Sequence, residues 1–182
     1  MKPRKKKCKN CGEWIESPRS TLQVACSARC ALAINKAKAE KKRREETRQM
    51  RKELMPHREW LNLLQKVFNT YIRKRDKAKG CISCGRAFHG KYDAGHFFSV
   101  GSHPELRFDE DNVFGQCVYC NRDKHGNLIE YAERLPQRIG EYRYEALKAR
   151  RGQNNKLSIP EIERMIEEYL SLIHISEPTR PY

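Results

Sequence analysis

The chain has no long apolar run, so no part of it is expected to span a membrane. Its N-terminus, MKPRKKKCKN, is basic, but no apolar stretch follows, which argues against a secretory signal. The expected compartment is a reducing cytoplasm, where disulfides are rare. Acidic residues are in deficit: 38 Lys and Arg stand against 23 Asp and Glu in 182 residues, a formal net charge of +15. A chain so charged buries only a modest core, and metal ions or partners are expected to supplement it. The excess of positive charge favours a polyanion as partner, although a ribosomal or membrane-surface role would give the same number.

No cysteine is left over. All eight fall into close pairs, Cys8/Cys11, Cys26/Cys30, Cys81/Cys84 and Cys117/Cys120. Pairing of this kind predicts two zinc sites. The first set, in CKNCGEWIESPRSTLQVACSARC, has the spacing C-x2-C-x14-C-x3-C, close to a zinc ribbon or treble clef. Residues 1–30 are therefore read as a small zinc-held module, a segment too short to fold without its metal.

Glycine and proline are absent from residues 31–55, where nine basic residues stand against four acidic ones and few apolar side chains follow Ile34. That predicts a solvated basic helix. Its run Lys41, Lys42, Arg43 and Arg44 is either plain surface or a contact for nucleic-acid phosphates. Pro56 ends or kinks it. An amphipathic core helix is expected next, with Trp60, Leu64, Val67 and Tyr71 as its stripe and Leu61, Phe68 and Ile72 widening it. Beyond the second cysteine set, LIEYAERLPQRIGEYRYEALKAR reads as helical with a break at Pro136 or Gly140. Ser158 and Glu161 form a capping box, and Ile162, Ile166 and Tyr169 give the following apolar face. The final segment, SLIHISEPTRPY, shows no continuing periodicity and is similar to a translated sequencing-adaptor read-through. Residues 171–182 are accordingly set aside as a non-native tail.

Four cysteines suffice for one zinc, yet other chemistry lies among Cys81, Cys84, Cys117 and Cys120. In order come Asp93, His96, Asn112, Asn121 and His125. This order resembles the His-Asn-His (HNH) nucleases, built on a ββα-metal finger, and in particular their zinc-stapled branch. The resemblance implies that His96 is the general base on the first strand and that Asn112 braces the hairpin, the two making up the catalytic pair. It also implies that residues on the following helix bind a divalent cation. Magnesium prefers oxygen ligands, which Asp93 and Asn121 can supply, and His125 can add a nitrogen for a softer ion such as manganese. More of the chain narrows the match. GCISCG, YDAGHFF, HPELRFDEDN, GQCVYCNRDKHGNL and RIGEY, with KKKCKNCGEWI and CSARC before them, resemble the lambdoid-phage NinG/Rap recombination proteins over nearly all of residues 1–170.

One departure stands out. Many HNH enzymes carry the metal-binding acid just before the catalytic histidine, where this chain has Gly95; Asp93 shares the strand face of position 95 and is the expected substitute. Arg107 and Lys124 neighbour the set and are candidates to grip phosphate, whereas His89 and His103 read as loop residues. The bland alternatives are a packed His96, a helix-capping Asn121 and a surface His125.

The expected architecture is α+β and mainly helical. It comprises a zinc module over 1–30, a basic helical linker over 31–55 and a zinc-stapled, HNH-like nuclease domain over 56–170. What the resemblance implies is a phage- or prophage-encoded endonuclease acting in the host cytoplasm on branched DNA, such as Holliday junctions or D-loops. Two structural zincs and a catalytic magnesium or manganese ion would serve it. A homodimer and recombination proteins are the protein partners left open. The competing reading is a non-catalytic zinc-finger protein that binds DNA or RNA.

Overall fold

The computed structural model describes residues 5–175. Residues 1–4, the start of the expected zinc module, and 176–182, most of the expected non-native tail, lie outside the described residues. The fold is α+β and mainly helical, with two small two-stranded sheets. The chain divides after Met55 into two compact units. No helix among the described residues is long and apolar enough to cross a membrane.

In the first unit, strands β1 (Lys6–Lys7) and β2 (Trp14–Ile15) pair antiparallel, and helix α1 spans Ala28–Glu53. The Ser27 hydroxyl accepts from the Cys30 amide, a cap that satisfies one orphan donor of the first turn. The last cysteine thereby enters the helix. Cys8, Ile15, Ala25 and Cys30 form a small core with Ala31 and Ile34 packed on it. From Asn35 onward the helix is exposed on every side, so its length rests on helix-forming residues and on pairs such as Arg44–Glu40 and Lys42–Glu46.

In the second unit, helix α2 (His57–Asp76) begins directly after Pro56. Its buried line is Trp60, Leu64, Phe68, Ile72 and Asp76, at strict four-residue spacing. Val67 and Tyr71, expected at the centre of the stripe, are only half-buried and flank it. Helix α5 (Ile159–Ile175) packs along α2 through Ile162, Ile166, Tyr169 and Ile173, with the Phe68 and Tyr169 rings 5.1 Å apart in an edge-on contact. Glu161 accepts from the Ser158 amide at 2.7 Å, one half of the capping box. The apolar spacing does continue past Ser171, because Ile173 extends the series and is 8% exposed. The described part of the supposed tail is thus the last turn of α5.

Strands β3 (Tyr92–His96) and β4 (Val113–Cys117) pair antiparallel, from Tyr92 opposite Cys117 to His96 opposite Val113. A π-helical turn over Tyr119–Asp123 follows. Then come helix α3 (Leu128–Ile139), a break at Gly140 and helix α4 (Glu141–Ala149). Pro136 sits inside α3 without ending it. Ile82, Leu106, Phe114, Tyr131, Leu135 and Leu147 form the core beneath the strand pair.

Asp76 fastens that pair to α2. Its side chain is fully buried, accepts two bonds of 2.9 Å from Arg75, and takes the Gly115 amide of β4 at 2.9 Å. Burial alone would raise its carboxyl pKa, but the Arg75 guanidinium and the Gly115 amide more than offset this and hold it below the ordinary carboxylate range. The stabilisation is therefore present above the unfolded value of about 4 and is lost as pH falls through the lower folded value. Asp76→Ala strands a half-buried arginine and is expected to cost about 3–5 kcal/mol at pH 7, less at pH 3, measured by urea unfolding. An equal cost at both pH values would contradict this account.

Candidate functional site

Both cysteine sets converge. The four sulfurs of Cys8, Cys11, Cys26 and Cys30 lie within 4.8 Å of one another, as do those of Cys81, Cys84, Cys117 and Cys120. Sulfur separations are 3.5 Å for Cys11–Cys26, 3.6 Å for Cys26–Cys30 and 3.9 Å for Cys84–Cys117. Zinc–thiolate bonds of about 2.3 Å require tetrahedral edges of about 3.8 Å, so the spacing suits an ion at each centre. A disulfide would need sulfurs about 2.05 Å apart. Each tetrad could hold one zinc ion.

The two knuckles share a turn. In CKNCG and CISCG the glycine amide donates to the first cysteine's carbonyl, Gly12 to Cys8 at 3.0 Å and Gly85 to Cys81 at 2.9 Å. Both glycines have left-handed φ, 78° and 72°, which a side chain would strain. Burial pushes the Cys81 and Cys120 thiols up, so metal binding at the second tetrad must displace protons.

The second tetrad joins the knuckle loop to the end of β4 and the π-helical turn, and beside it lies an open cleft of about 550 Å³. His96, Asn121 and His125 all line it, with Ala94, Phe98, His103 and Leu128. His96 stands on β3 with Ala94 on its face. Its Nε2 lies 3.0 Å from the Arg107 carbonyl and so must carry the proton, leaving Nδ1 as the acceptor. Burial pushes the His96 imidazole below its ordinary pKa, and the nearby Arg107 charge adds to this, so the ring is neutral at pH 7. His125 comes to the cleft on a strained reversal: His125, Gly126 and Asn127 have φ of 49°, 92° and 44°. Left-handed backbone at two non-glycine residues is uncommon and persists where surrounding structure demands it.

Asp93 and Arg107 stand elsewhere than expected. Asp93 does not line the cleft. Its carboxylate is gripped at both oxygens by Arg122, at 2.7 and 3.0 Å, and also accepts the Asn121 amide at 3.1 Å. The Arg122 guanidinium holds its carboxyl below the ordinary range. Asp93 thus positions Asn121, whose carboxamide oxygen is left for the cleft. A side chain at position 95 would crowd the buried Gln116, so an acid there would require the Gln116 carboxamide to shift. Asn112, expected to brace the hairpin, lies in the connection between its strands and not in the cleft lining. It is fully buried, with Oδ1 accepting from the Phe98 amide at 2.7 Å and Nδ2 donating to the Phe98 and Leu106 carbonyls at 3.0 Å each. That staples the 97–111 connection between the strands. Arg107 serves His96 through its carbonyl, while its guanidinium donates to Gln65 at 2.6 Å, and the residue lines a separate cavity.

Lys124 is exposed beside the cleft, its Nζ 5.3 Å from the Tyr119 ring centre. Lys41, Lys42, Arg43 and Arg44 are exposed on α1, in the other unit. The sequence does not single out Arg122, and it reads His103 as a loop residue, whereas the structure sets His103 in the cleft lining. Arg122 carries no signal beyond adjacency to Asn121, and His103 shows only as a histidine in a Gly-Ser loop.

Fold and site together define a class: an α+β protein with two four-cysteine centres suited to zinc and a histidine-lined cleft beside one of them. The family follows from comparison. The sequence model of the family described as Bacteriophage Lambda NinG protein matches residues 1–177, and the chain belongs to that family. It is similar to Protein ninG of Escherichia phage lambda, 35% identical over 188 aligned positions that cover 92% of this chain and 91% of the relative. Protein ninG of Salmonella phage P22 is 38% identical over 159 positions, covering 76% and 78%. Protein ninG of Escherichia phage 933W is 35% identical over 157 positions, covering 77% and 78%. No solved structure matches the chain.

Proposed function

We propose that this NinG-family chain is a metal-dependent phage recombination endonuclease, which hydrolyses phosphodiester bonds in branched DNA on an HNH-like strand-pair-and-helix core in the host cytoplasm. The observation that carries the reading is His96. A neutral imidazole with one nitrogen tied to a carbonyl and the other free is set up to take a proton from water. It faces a cleft shared with Asn121 and His125. That oxygen and nitrogen donor pair suits magnesium or, better, manganese, which keep most of their remaining ligands as water. The ion, when bound, would supply charge stabilisation at the phosphate. Asp93 holds Asn121 for that task. The zinc at the second tetrad would keep β3 and the π-helical turn in register, so that base and ion donors face one another.

The charge excess makes DNA phosphates the natural partner. With roughly six phosphates neutralised, log affinity should fall against log salt with a slope of about −5. Neutralising Lys41, Lys42, Arg43 and Arg44 together should flatten that slope, measured by fluorescence anisotropy on a four-way junction. An unchanged slope would make α1 solvated surface.

The test of function is strand cleavage of a four-way junction and a linear duplex by wild type with magnesium, then manganese. Cutting of the junction supports the reading. Tight binding with intact strands in both metals would leave a zinc-finger DNA-binding protein instead.

A further inference from the structure

We propose that His103 is a second proton-transfer residue of the same cleft, the general acid for the departing sugar oxygen; this rests on the nuclease reading above. His103 lines the cleft with His96, Asn121 and His125. Its loop is tightly held: the His103 amide donates to the Ser99 carbonyl at 2.8 Å, and the Ser102 amide to the Ser99 hydroxyl at 3.2 Å. The ring packs edge-on against Phe98, at 5.2 Å and 67°.

What distinguishes this imidazole is its partner. Nδ1 lies 3.0 Å from Oε1 of Glu105, whose side chain is only 10% exposed. The same carboxylate oxygen accepts the Gly152 amide at 2.7 Å, from a residue 47 positions away. The Gly152 amide first, then the Glu105 amide itself and, less, His103 hold the Glu105 carboxyl below its ordinary pKa, so it is ionised at neutral pH. A carboxylate can only accept, so Nδ1 carries a proton and Nε2 is the nitrogen left for the cleft. This ring thus has a carboxylate as its direct partner. His96 has no acidic partner, only a carbonyl. Two histidines in one cleft thus have different partners, a carbonyl for His96 and a carboxylate for His103.

The imidazoles do not gather around one point. Among the described residues only the two cysteine tetrads bring three or more candidate ligand atoms within 4.8 Å of one another. His103 therefore does not join His96 and His125 around a single preformed ion, and a separate role is open to it.

In the step proposed, His96 Nδ1 takes a proton from water as the water oxygen bonds to phosphorus. The bond from phosphorus to the departing sugar oxygen breaks with its electron pair on that oxygen, which receives the Nε2 proton of His103. One strand end carries the phosphate and the other a hydroxyl. His96 is left protonated and His103 neutral, and exchange with solvent restores both.

The test compares two four-way junctions: one natural, and one whose departing oxygen, located from the product ends, is replaced by bridging sulfur. A thiolate leaves without a proton, so the acid is dispensable there. His103→Ala should cut the natural junction about a hundredfold slower than wild type and the sulfur junction within about threefold of it. Glu105→Gln should show a smaller loss of the same pattern. His96→Ala should lose activity on both. Zinc content and melting temperature, checked for each variant, separate unfolding from chemistry, and Glu105→Gln carries the test if His103→Ala does not fold. Equal loss by His103→Ala on both junctions, or no loss on either, would overturn the assignment. A wild type that cuts neither junction would sink the nuclease reading and this inference together.

Discussion

His96→Ala is expected to slow junction cleavage by about a hundredfold or more, the usual scale for a general base, with little change in junction affinity. The substitution removes the only imidazole in the cleft whose free nitrogen is held by a backbone bond on its other side. It touches none of the cysteines and none of the exposed basic residues, so zinc content and phosphate attraction should persist. Cleavage and binding measured on the same junction, with zinc content alongside, separate the two effects. Asn121→Ala should behave differently, raising the magnesium or manganese concentration needed for half-maximal rate, because its carboxamide oxygen is a proposed ion donor. Asp93→Asn should follow Asn121→Ala more weakly, since Asp93 acts by holding Asn121. If His96→Ala cuts as fast as wild type, the mechanism is wrong and the zinc-finger binding reading takes its place.

Cys117→Ser should have the largest effect on folding. Wild type is expected to hold about two zinc ions per chain and the variant about one. Structural zinc contributes on the order of 10 kcal/mol or more in small sites, comparable to the whole stability of an ordinary domain. Cys117 ends β4 opposite Tyr92, the first residue of the strand that carries His96. Loss of its ion should therefore loosen the strand pair and the cleft and leave the first unit's tetrad loaded. Zinc release on chelation and hydrogen exchange at β3 amides read this out. Retention of two zincs with unchanged protection would refute the assignment of the second tetrad.

The cysteine pairs were readable because each knuckle is a local object. Two thiols separated by two residues and closed by a left-handed glycine form one turn, whatever packs around it. His96, Asn121 and His125 were readable as a group through the order they share with a known family. The stripe of α2 was readable to within one position, since helical spacing narrows a face without locating its centre. The periodicity of α5 past Ser171 was missed because the composition there looked foreign, although Ile173 keeps the spacing.

By itself, then, the sequence determined the two cysteine sets that could hold zinc, the excess of positive charge and the set of residues from which a cleft can be built. The first two follow from residue type and short spacing, and the third from an order of residues shared with a known family. Only the tertiary structure decided which atoms face it. Asp93 is claimed by Arg122, 29 positions away, and Gly95 leaves room for the buried Gln116 on the neighbouring strand. Arg107 serves through its carbonyl, and His103 becomes a cleft residue through Glu105 and Gly152. Which nitrogen is free and which carboxylate is occupied depends on partners that only folding brings within about 3 Å, the range at which hydrogen bonds form.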